Sequence, residues 1–218
     1  MKKILTIISL AAATTLVNAQ GWISFSAAAS AIKTNSASYY VQTGGTSANV
    51  PTLANGGIFY YALLYSATAP SGGLAPTNSA WLQPTLFGTS TFVMATNGTL
   101  STGTLQGPAN GQFASSLTAS TPSYIEVVGW SASLGSTFTQ VQGELTSGNW
   151  IANGFFGWDG GNLTITPTAA SPGPTVIPGI YGNGTLVLYS VTTPVPEPST
   201  MALAGLGGLA LLLFRRRK

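Results

Sequence analysis

The sequence predicts a mostly β protein: a single β-sandwich or jelly-roll-like domain with one short helix, plus a C-terminal transmembrane helix. Charged residues make up only 5% of the 218 residues while 44% are hydrophobic, which argues against disorder. β-branched and aromatic residues are frequent, and they favour strands. Asn-Gly pairs suit tight hairpin turns because both positions tolerate positive φ. Five such pairs begin at Asn55, Asn97, Asn110, Asn153 and Asn183.

The chain begins with the features of a secretory signal peptide, which we assign to residues 1–19. Lys2 and Lys3 form a basic start, an apolar segment follows, and small residues precede the expected cleavage site. We therefore expect signal peptidase to cut between Ala19 and Gln20 after the secretion machinery has exported the chain. An uncleaved anchor is the alternative, but the apolar segment is short for that role.

Residues 20–193 are expected to form one β-rich extracellular domain with a core of its own. Its predicted strands are Trp22–Phe25, Tyr39–Gln42, Ile58–Tyr65, Tyr124–Trp130, Leu163–Thr166 and Thr185–Val191, with a hairpin over Thr91–Thr96 and Thr99–Thr102. Ile58–Tyr65 is apolar on both faces, which predicts a central, covered strand. In Tyr124–Trp130, alternation places Glu126 on the face of Trp130 and opposite to Val127.

One segment departs from the β pattern and predicts the short helix. Apolar residues recur there at the spacing of one helix face, at Leu134, Phe138, Val141 and Leu145. Ser136 is the expected cap of this helix. Gly143 lies inside the segment and weakens it.

The C-terminal segment starts with a stiff spacer and continues as an apolar run. Pro196, Glu197 and Pro198 stay extended because each proline fixes its own φ and disfavours helix in the residue before it. Ser199–Phe214 carries no charge. As a helix it spans roughly 24 Å, which is short of a hydrocarbon core of about 30 Å.

Four cations end the chain and set the orientation of this apolar run. They are Arg215, Arg216, Arg217 and Lys218. By the positive-inside rule they hold the C-terminus in the cytoplasm, which leaves the body of the protein outside. The domain assignment for the tail is therefore residues 194–218.

The order of these parts resembles the PEP-CTERM tail, a bacterial sorting signal with a Pro-Glu-Pro triplet, a Gly/Leu-rich span and a terminal arginine cluster. The resemblance covers only Val195–Lys218. It implies that an exosortase-type membrane protease recognises the triplet, removes the span and delivers the protein to the cell surface or extracellular polysaccharide matrix. Before processing, the protein would be anchored in the inner membrane. An ordinary single-span anchor is the alternative, but it has no need of the triplet and is usually longer.

The charge distribution excludes nucleic acid as a partner. The net charge of +3 comes from the two ends of the chain. Within residues 20–195 the only cation is Lys33, against Glu126, Glu144 and Asp159. A nucleic-acid interface needs clustered Lys or Arg side chains, and this body has none.

The residue inventory leaves little scope for catalysis. Histidine and cysteine are both absent, so Ser-His-Asp triads, Cys-His dyads and His-ligated zinc are impossible. A carboxylate hydrolase would need two of Glu126, Glu144 and Asp159, but three acids are more simply solubilising or hydrogen-bonded structural groups. The sequence after Asp159 lacks the spacing of a calcium loop. We therefore expect no enzyme, no metal and no cofactor.

Binding is the remaining chemistry, because the second half of the domain is rich in tryptophan. Most of these side chains are expected in the core. Trp150 and Trp158 lie in Gly/Asn-rich sequence, where loops carry function, and are the candidates for glycan contact. The leading hypothesis is a non-enzymatic exported protein sorted by its tail. The alternatives are a carbohydrate-binding module for extracellular polysaccharide and an ice-binding-like surface protein.

Overall fold

The computed structural model describes residues 20–27, 29–55, 57–70, 75–108, 112–159, 163–176 and 185–192. Within these ranges the chain is mostly β with one short α-helix, as predicted. The strands are β1 (Gln20–Phe25), β2 (Ile32–Ser38), β3 (Ser47–Asn49), β4 (Phe59–Ser66), β5 (Met94–Asn97), β6 (Leu105–Gln106), β7 (Gln112–Thr118), β8 (Ser123–Ser131), β9 (Gly154–Trp158), β10 (Leu163–Ile165), β11 (Thr175–Val176) and β12 (Leu186–Val191). A 3-10 turn at Ala132–Leu134 precedes the helix α1 (Phe138–Ser147).

Most strands form one large sheet, in the order β3-β2-β12-β9-β8-β4-β5-β6, with β10 also paired to β8. A small sheet has the order β11-β1-β7. Neighbouring strands are antiparallel except for the pairs β12–β2 and β1–β11. An isolated bridge joins Ser26 to Gln106, and the Gly107 N–H donates to the Phe25 carbonyl at 3.1 Å. These contacts tie the end of β1 to β6, so the large sheet curls back towards the small one.

β4 and β8 form the centre of the large sheet, paired from Phe59 with Ser131 to Ser66 with Tyr124. Successive side chains in a strand point to opposite faces, and both faces of this pair are covered. Every residue of β4 is buried or half-buried. The prediction of a central, covered strand is therefore confirmed, and so is the placing of Glu126 and Val127 on opposite faces of β8.

The inner core fills the space between the two sheets. It takes side chains from the small sheet and from one face of the large sheet, including Ile23, Phe25, Tyr61, Leu63, Ile125, Val127 and Leu188. Fully burying such a side chain contributes about 1.5–3 kcal/mol. Because the sequence contains no cysteine, packing of this kind stands in for disulfides in stabilising the domain.

The helix-side core lies on the other face of the large sheet, beneath α1. Its buried members include Tyr39, Leu64, Trp81, Val128, Trp130, Phe138, Val141, Trp150 and Phe156. The rings of Trp130 and Phe138 lie 6.2 Å apart, and the Trp130 indole N–H donates to the Gly135 carbonyl at 2.9 Å. The large sheet is therefore buried on both sides at its centre.

α1 begins one residue later than the expected cap implies. Thr137, and not Ser136, is the N-cap, and its hydroxyl accepts the Gln140 N–H at 3.4 Å. In turn, the Oε1 atom of the Gln140 side chain accepts the Thr137 N–H at 3.2 Å. This reciprocal capping box needs a Gln or Glu three residues after the cap, which fixes the cap at Thr137.

The strand predicted at Tyr39–Gln42 is wrong. β2 ends at Ser38, whose carbonyl accepts both the Val41 N–H at 3.0 Å and the Gln42 N–H at 2.8 Å. Gln42 has a φ of 54°, which is a left-handed conformation typical of turns. The aromatic and β-branched residues that suggested a strand belong instead to a turn that packs on the helix-side core.

The hairpin predicted around Asn97 and Gly98 is also wrong. Asn97 is the last residue of β5, and β5 pairs with β6 instead of residues 99–102. The Asn97 side chain is buried, accepts the Phe59 N–H at 3.0 Å and donates to the carbonyls of Pro51 and Gly57 at 2.9 and 3.1 Å. The role of Asn97 is therefore to supply an amide group that forms hydrogen bonds with three backbone groups.

In the part of the chain that the structure describes, no helix is long and apolar enough to cross a membrane. The predicted C-terminal transmembrane helix lies outside the described residues. The same holds for the signal peptide, the Pro-Glu-Pro triplet and the terminal cations.

Candidate functional site

A groove of about 260 Å³ opens on the large sheet, where β9 and β12 meet the turn that follows β2. Its lining consists of Tyr39, Gln42, Gly157, Trp158, Val187 and Tyr189. The alternation of side chains along β12 explains why two of its residues line the groove. Leu186 and Leu188 are buried in the inner core, so Val187 and Tyr189 point to the opposite face of the sheet.

The turn after β2 forms one wall of this groove. The Tyr39 N–H donates to the Ser190 carbonyl at 2.8 Å, which ties the turn to β12. Gln42 stands exposed at the rim. This backbone bond places the Tyr39 side chain in the wall of the groove.

An aromatic cluster supports that wall. The Tyr39 ring lies 5.7 Å from the ring of Trp158, 5.4 Å from Phe156 and 6.1 Å from Trp150. Such edge-on and tilted pairs each contribute about 0.5–1.5 kcal/mol beyond the burial of their area. The groove is therefore bounded by side chains that packing holds in fixed positions.

The two tryptophans predicted as glycan contacts differ in their placement. Trp158 is half-buried and lines the groove. Trp150 is only 3% exposed, and its indole N–H donates to the Tyr40 hydroxyl at 3.0 Å. Trp150 thus packs behind Tyr39 as part of the helix-side core and presents no open ring face.

Sequence reasoning missed Tyr39 and Tyr189 as lining residues. The signal for Tyr189 was present, since β12 alternates between apolar residues of the inner core and residues of the other face. Tyr39 was hidden by the mistaken strand at Tyr39–Gln42. A strand there would have placed its side chain by alternation, whereas the turn brings it against Trp158.

Gly157 permits the close approach of β9 and β12 at the base of the groove. A Cβ added at this position would overlap the carbonyl oxygen of Val187. Any larger residue would push the two strands apart. The groove therefore has a backbone floor at Gly157.

Glu126 is the most unusual polar residue near this site. It is 0% exposed, it faces the helix-side core, and neither of its carboxyl oxygens has a hydrogen-bond partner among the described residues. Burial raises the pKa of Glu126 to about 9, and the nearby charge of Asp159 adds to this effect. At neutral pH this side chain is consequently an uncharged acid.

Asp159 follows β9 and is fixed to the edge of β8. Its N–H donates to the Val127 carbonyl at 3.1 Å, and its Oδ1 accepts the Val127 N–H at 3.2 Å. β8 pairs Val128 with Trp158 and then Ile125 with Leu163. β9 and β10 therefore both pair with β8, and the register differs between the two pairings.

The third acid, Glu144, is a structural group. It is buried on α1, and its Oε2 accepts the Ile151 N–H at 3.1 Å. Burial raises the pKa of Glu144, and this hydrogen bond opposes the rise. The expectation that the acids are solubilising or hydrogen-bonded groups thus holds for Glu144 and Asp159. It is wrong for Glu126, because the position of Glu126 on β8 directs its side chain into the apolar helix-side core.

Among the described residues, no three acidic side chains lie close enough together to hold a metal ion. Glu126 has no contact with solvent and Glu144 is engaged by the backbone. The groove, in contrast, is lined by the aromatic side chains of Tyr39, Trp158 and Tyr189, with the exposed Gln42 at its rim. Its arrangement is suited to binding.

Comparison with known proteins identifies only the tail. Residues 194–218 match the family model described as the PEP-CTERM protein-sorting motif. No curated protein and no solved structure shows significant similarity to the chain.

Proposed function

We propose that this protein, whose residues 194–218 carry a PEP-CTERM sorting motif, is a non-enzymatic component of the cell surface or of the extracellular polysaccharide matrix. The motif implies export followed by exosortase-dependent sorting. The match of the whole tail to the sorting motif is the single observation that carries the proposal.

The positions of the first and last strands in the chain support this proposal. β1 begins at Gln20, immediately after the expected signal-peptidase site at Ala19, and β12 ends at Val191, before the motif. Removal of both targeting segments would leave every described strand intact. The folded domain is therefore compatible with processing at both ends.

The placement of the acids supports a non-enzymatic role. A glycoside hydrolase needs two carboxyl groups that reach the same bond of a bound substrate. Glu126 is sealed from solvent, and Glu144 accepts the Ile151 N–H from within the helix layer. Neither is placed to meet a polymer on the surface.

The experiment compares the full chain with a chain lacking residues 194–218 in an exosortase-bearing host. We expect only the full chain to be processed at its C-terminus and sorted. Glu197→Gln should accumulate as unprocessed, membrane-retained precursor, because a processing enzyme would read Glu197 in its extended Pro-Glu-Pro setting. The proposal would be refuted if the full and shortened chains had the same localisation and the full chain kept an unprocessed C-terminus, as measured by its mass.

Carbohydrate binding is a second candidate, and the groove favours it. Trp158, Tyr39 and Tyr189 line it together with Gln42, and sugars are bound through aromatic faces and amide hydrogen bonds. Trp158→Ala should abolish glycan binding while the circular dichroism spectrum stays unchanged. Phe92→Ala is the matched control, because Phe92 is an exposed aromatic residue outside the groove. Equal loss in both variants, or none in either, would contradict this function.

A further inference from the structure

Lys33 lies on the same face of the sheet as the groove. β12 and β2 are parallel, and their register pairs Val187 with Lys33 and Tyr189 with Asn35. Paired residues of adjacent strands point to the same face, and Val187 and Tyr189 both line the groove. Adjacent strands are about 4.8 Å apart, so the backbone of Lys33 is one strand beyond the groove lining.

Lys33 carries a charge that no described residue neutralises through an ion pair. Lys33 is the only Lys or Arg within residues 20–195, and among the described residues it forms no ion pair. It is half-buried on the strand beside the groove. The side chain of this cation is therefore available to a ligand of the groove.

Each of the three acids of the domain has its own environment away from β2. Glu126 is uncharged at neutral pH because burial raises its pKa to about 9. The Asp159 carboxylate accepts the Val127 N–H at the edge of β8. Glu144 is held by Ile151 in the helix layer. Within residues 20–195, Lys33 is the one cation with which an anion in the groove could pair.

The groove and Lys33 together combine two kinds of recognition. Ring faces at Trp158 and Tyr189 suit the C–H face of a pyranose, and the Gln42 amide suits its hydroxyl groups. A neutral sugar offers the ammonium group beside them only hydroxyl acceptors. A sugar carboxylate offers a charged acceptor, and hydrogen bonds between charged partners are shorter and stronger than bonds between neutral ones.

We propose that the groove binds a carboxylate-bearing glycan, with the sugar ring against Trp158 and the carboxylate paired with Lys33. This inference rests on the carbohydrate-binding function proposed above and specifies its ligand class. Chains of uronic acid residues are the chemical class that fits.

The test uses the full chain in detergent and two matched probes, polygalacturonate and its fully methyl-esterified form, which keeps the sugar but removes the charge. We expect wild type to bind polygalacturonate about tenfold more tightly than the ester, and this preference to shrink as ionic strength rises. Lys33→Gln should bind both probes equally. Trp158→Ala should bind neither.

A charge-matched control separates local pairing from net charge. Leu100 is 95% exposed and lies outside the groove lining, so Lys33→Gln combined with Leu100→Lys restores the net charge elsewhere. This double variant should not recover the preference. Recovery, or equal affinity of wild type for both probes, would overturn the acidic specificity while leaving carbohydrate binding intact. Binding of wild type to neither probe, nor to alginate, would overturn the proposed ligand class, and loss of binding to neutral polysaccharides as well would overturn the carbohydrate-binding function.

Discussion

The indole N–H of Trp150 donates to the hydroxyl of Tyr40 at 3.0 Å, which joins two residues 110 positions apart in the chain. The bond connects the turn after β2 to the segment after α1. Tyr40 also donates to the Gly148 carbonyl at 3.4 Å. This small network holds the wall of the groove against the helix layer.

Tyr40→Phe should destabilise the domain by about 1–2 kcal/mol, because the buried indole N–H of Trp150 loses its acceptor. Urea unfolding followed by tryptophan fluorescence measures the change. Tyr60→Phe is the matched control, since no hydrogen bond joins the Tyr60 hydroxyl to another described residue, and it should be nearly neutral. Equal stabilities of the two variants would show that the bond contributes nothing.

The raised pKa of Glu126 predicts that the free energy of unfolding falls as pH rises. Its pKa is about 9 in the folded protein against an ordinary value of 4.5, so between these values the folded state holds a proton that the unfolded chain releases. The contribution of protonated Glu126 to the free energy of unfolding is therefore fully present below about pH 4.5. It is lost as pH rises towards 9, at up to about 1.4 kcal/mol per pH unit.

Glu126→Gln should remove this slope, because an amide does not titrate. Unfolding free energies measured from pH 5 to 9 will show a flatter profile for the variant than for wild type. The comparison of slopes is independent of any constant cost of burying the amide. Parallel profiles would mean that Glu126 is ionised in the folded protein.

Two glycine substitutions should have opposite effects. Gly157→Ala places a Cβ against the Val187 carbonyl oxygen and should destabilise the β9–β12 pair by about 1–3 kcal/mol. Gly143→Ala lies on the exposed side of α1 with no atom near the added Cβ. It should stabilise the domain by about 0.5–1 kcal/mol. Thermal unfolding of both variants checks the pair, and a tolerated Gly157→Ala would contradict the close approach.

The capping box predicts which of two adjacent hydroxyl residues matters. Thr137→Ala should cost about 1 kcal/mol, because its hydroxyl accepts the Gln140 N–H. Ser136→Ala, one residue earlier, should cost little. Chemical denaturation distinguishes the two, and a larger loss for Ser136→Ala would restore the cap that the sequence suggested.

The central strands were predictable from sequence because β4 and β8 carry a local signal. Runs of large apolar residues with alternating faces have few alternatives to a covered strand. The turn at Tyr39–Gln42 was not predictable, since its conformation depends on Ser38 accepting two N–H groups and on packing against Trp158. Tertiary contacts decide such a segment, and its residue types alone favour a strand.

Side-chain roles were harder to predict than strands. Asn97 precedes a glycine and so suggested a turn, yet its amide is held by Pro51, Gly57 and Phe59. The face of Glu126 was predicted correctly, but its isolation among apolar groups depends on what covers that face. α1 and the segment around Trp81 supply the cover, and neither is adjacent to β8 in the sequence.

β12 brings the folded domain almost directly to the sorting motif. β12 ends at Val191 and the sorting motif starts at residue 194, so only Thr192 and Thr193 separate them. Two extended residues reach about 7 Å. If the sorted protein stays attached through its motif, as the proposed function allows, the tether between the motif and the last strand is only these two residues. Tyr189 lies two residues before the end of β12, so the groove would then face the polymer close to the point of attachment.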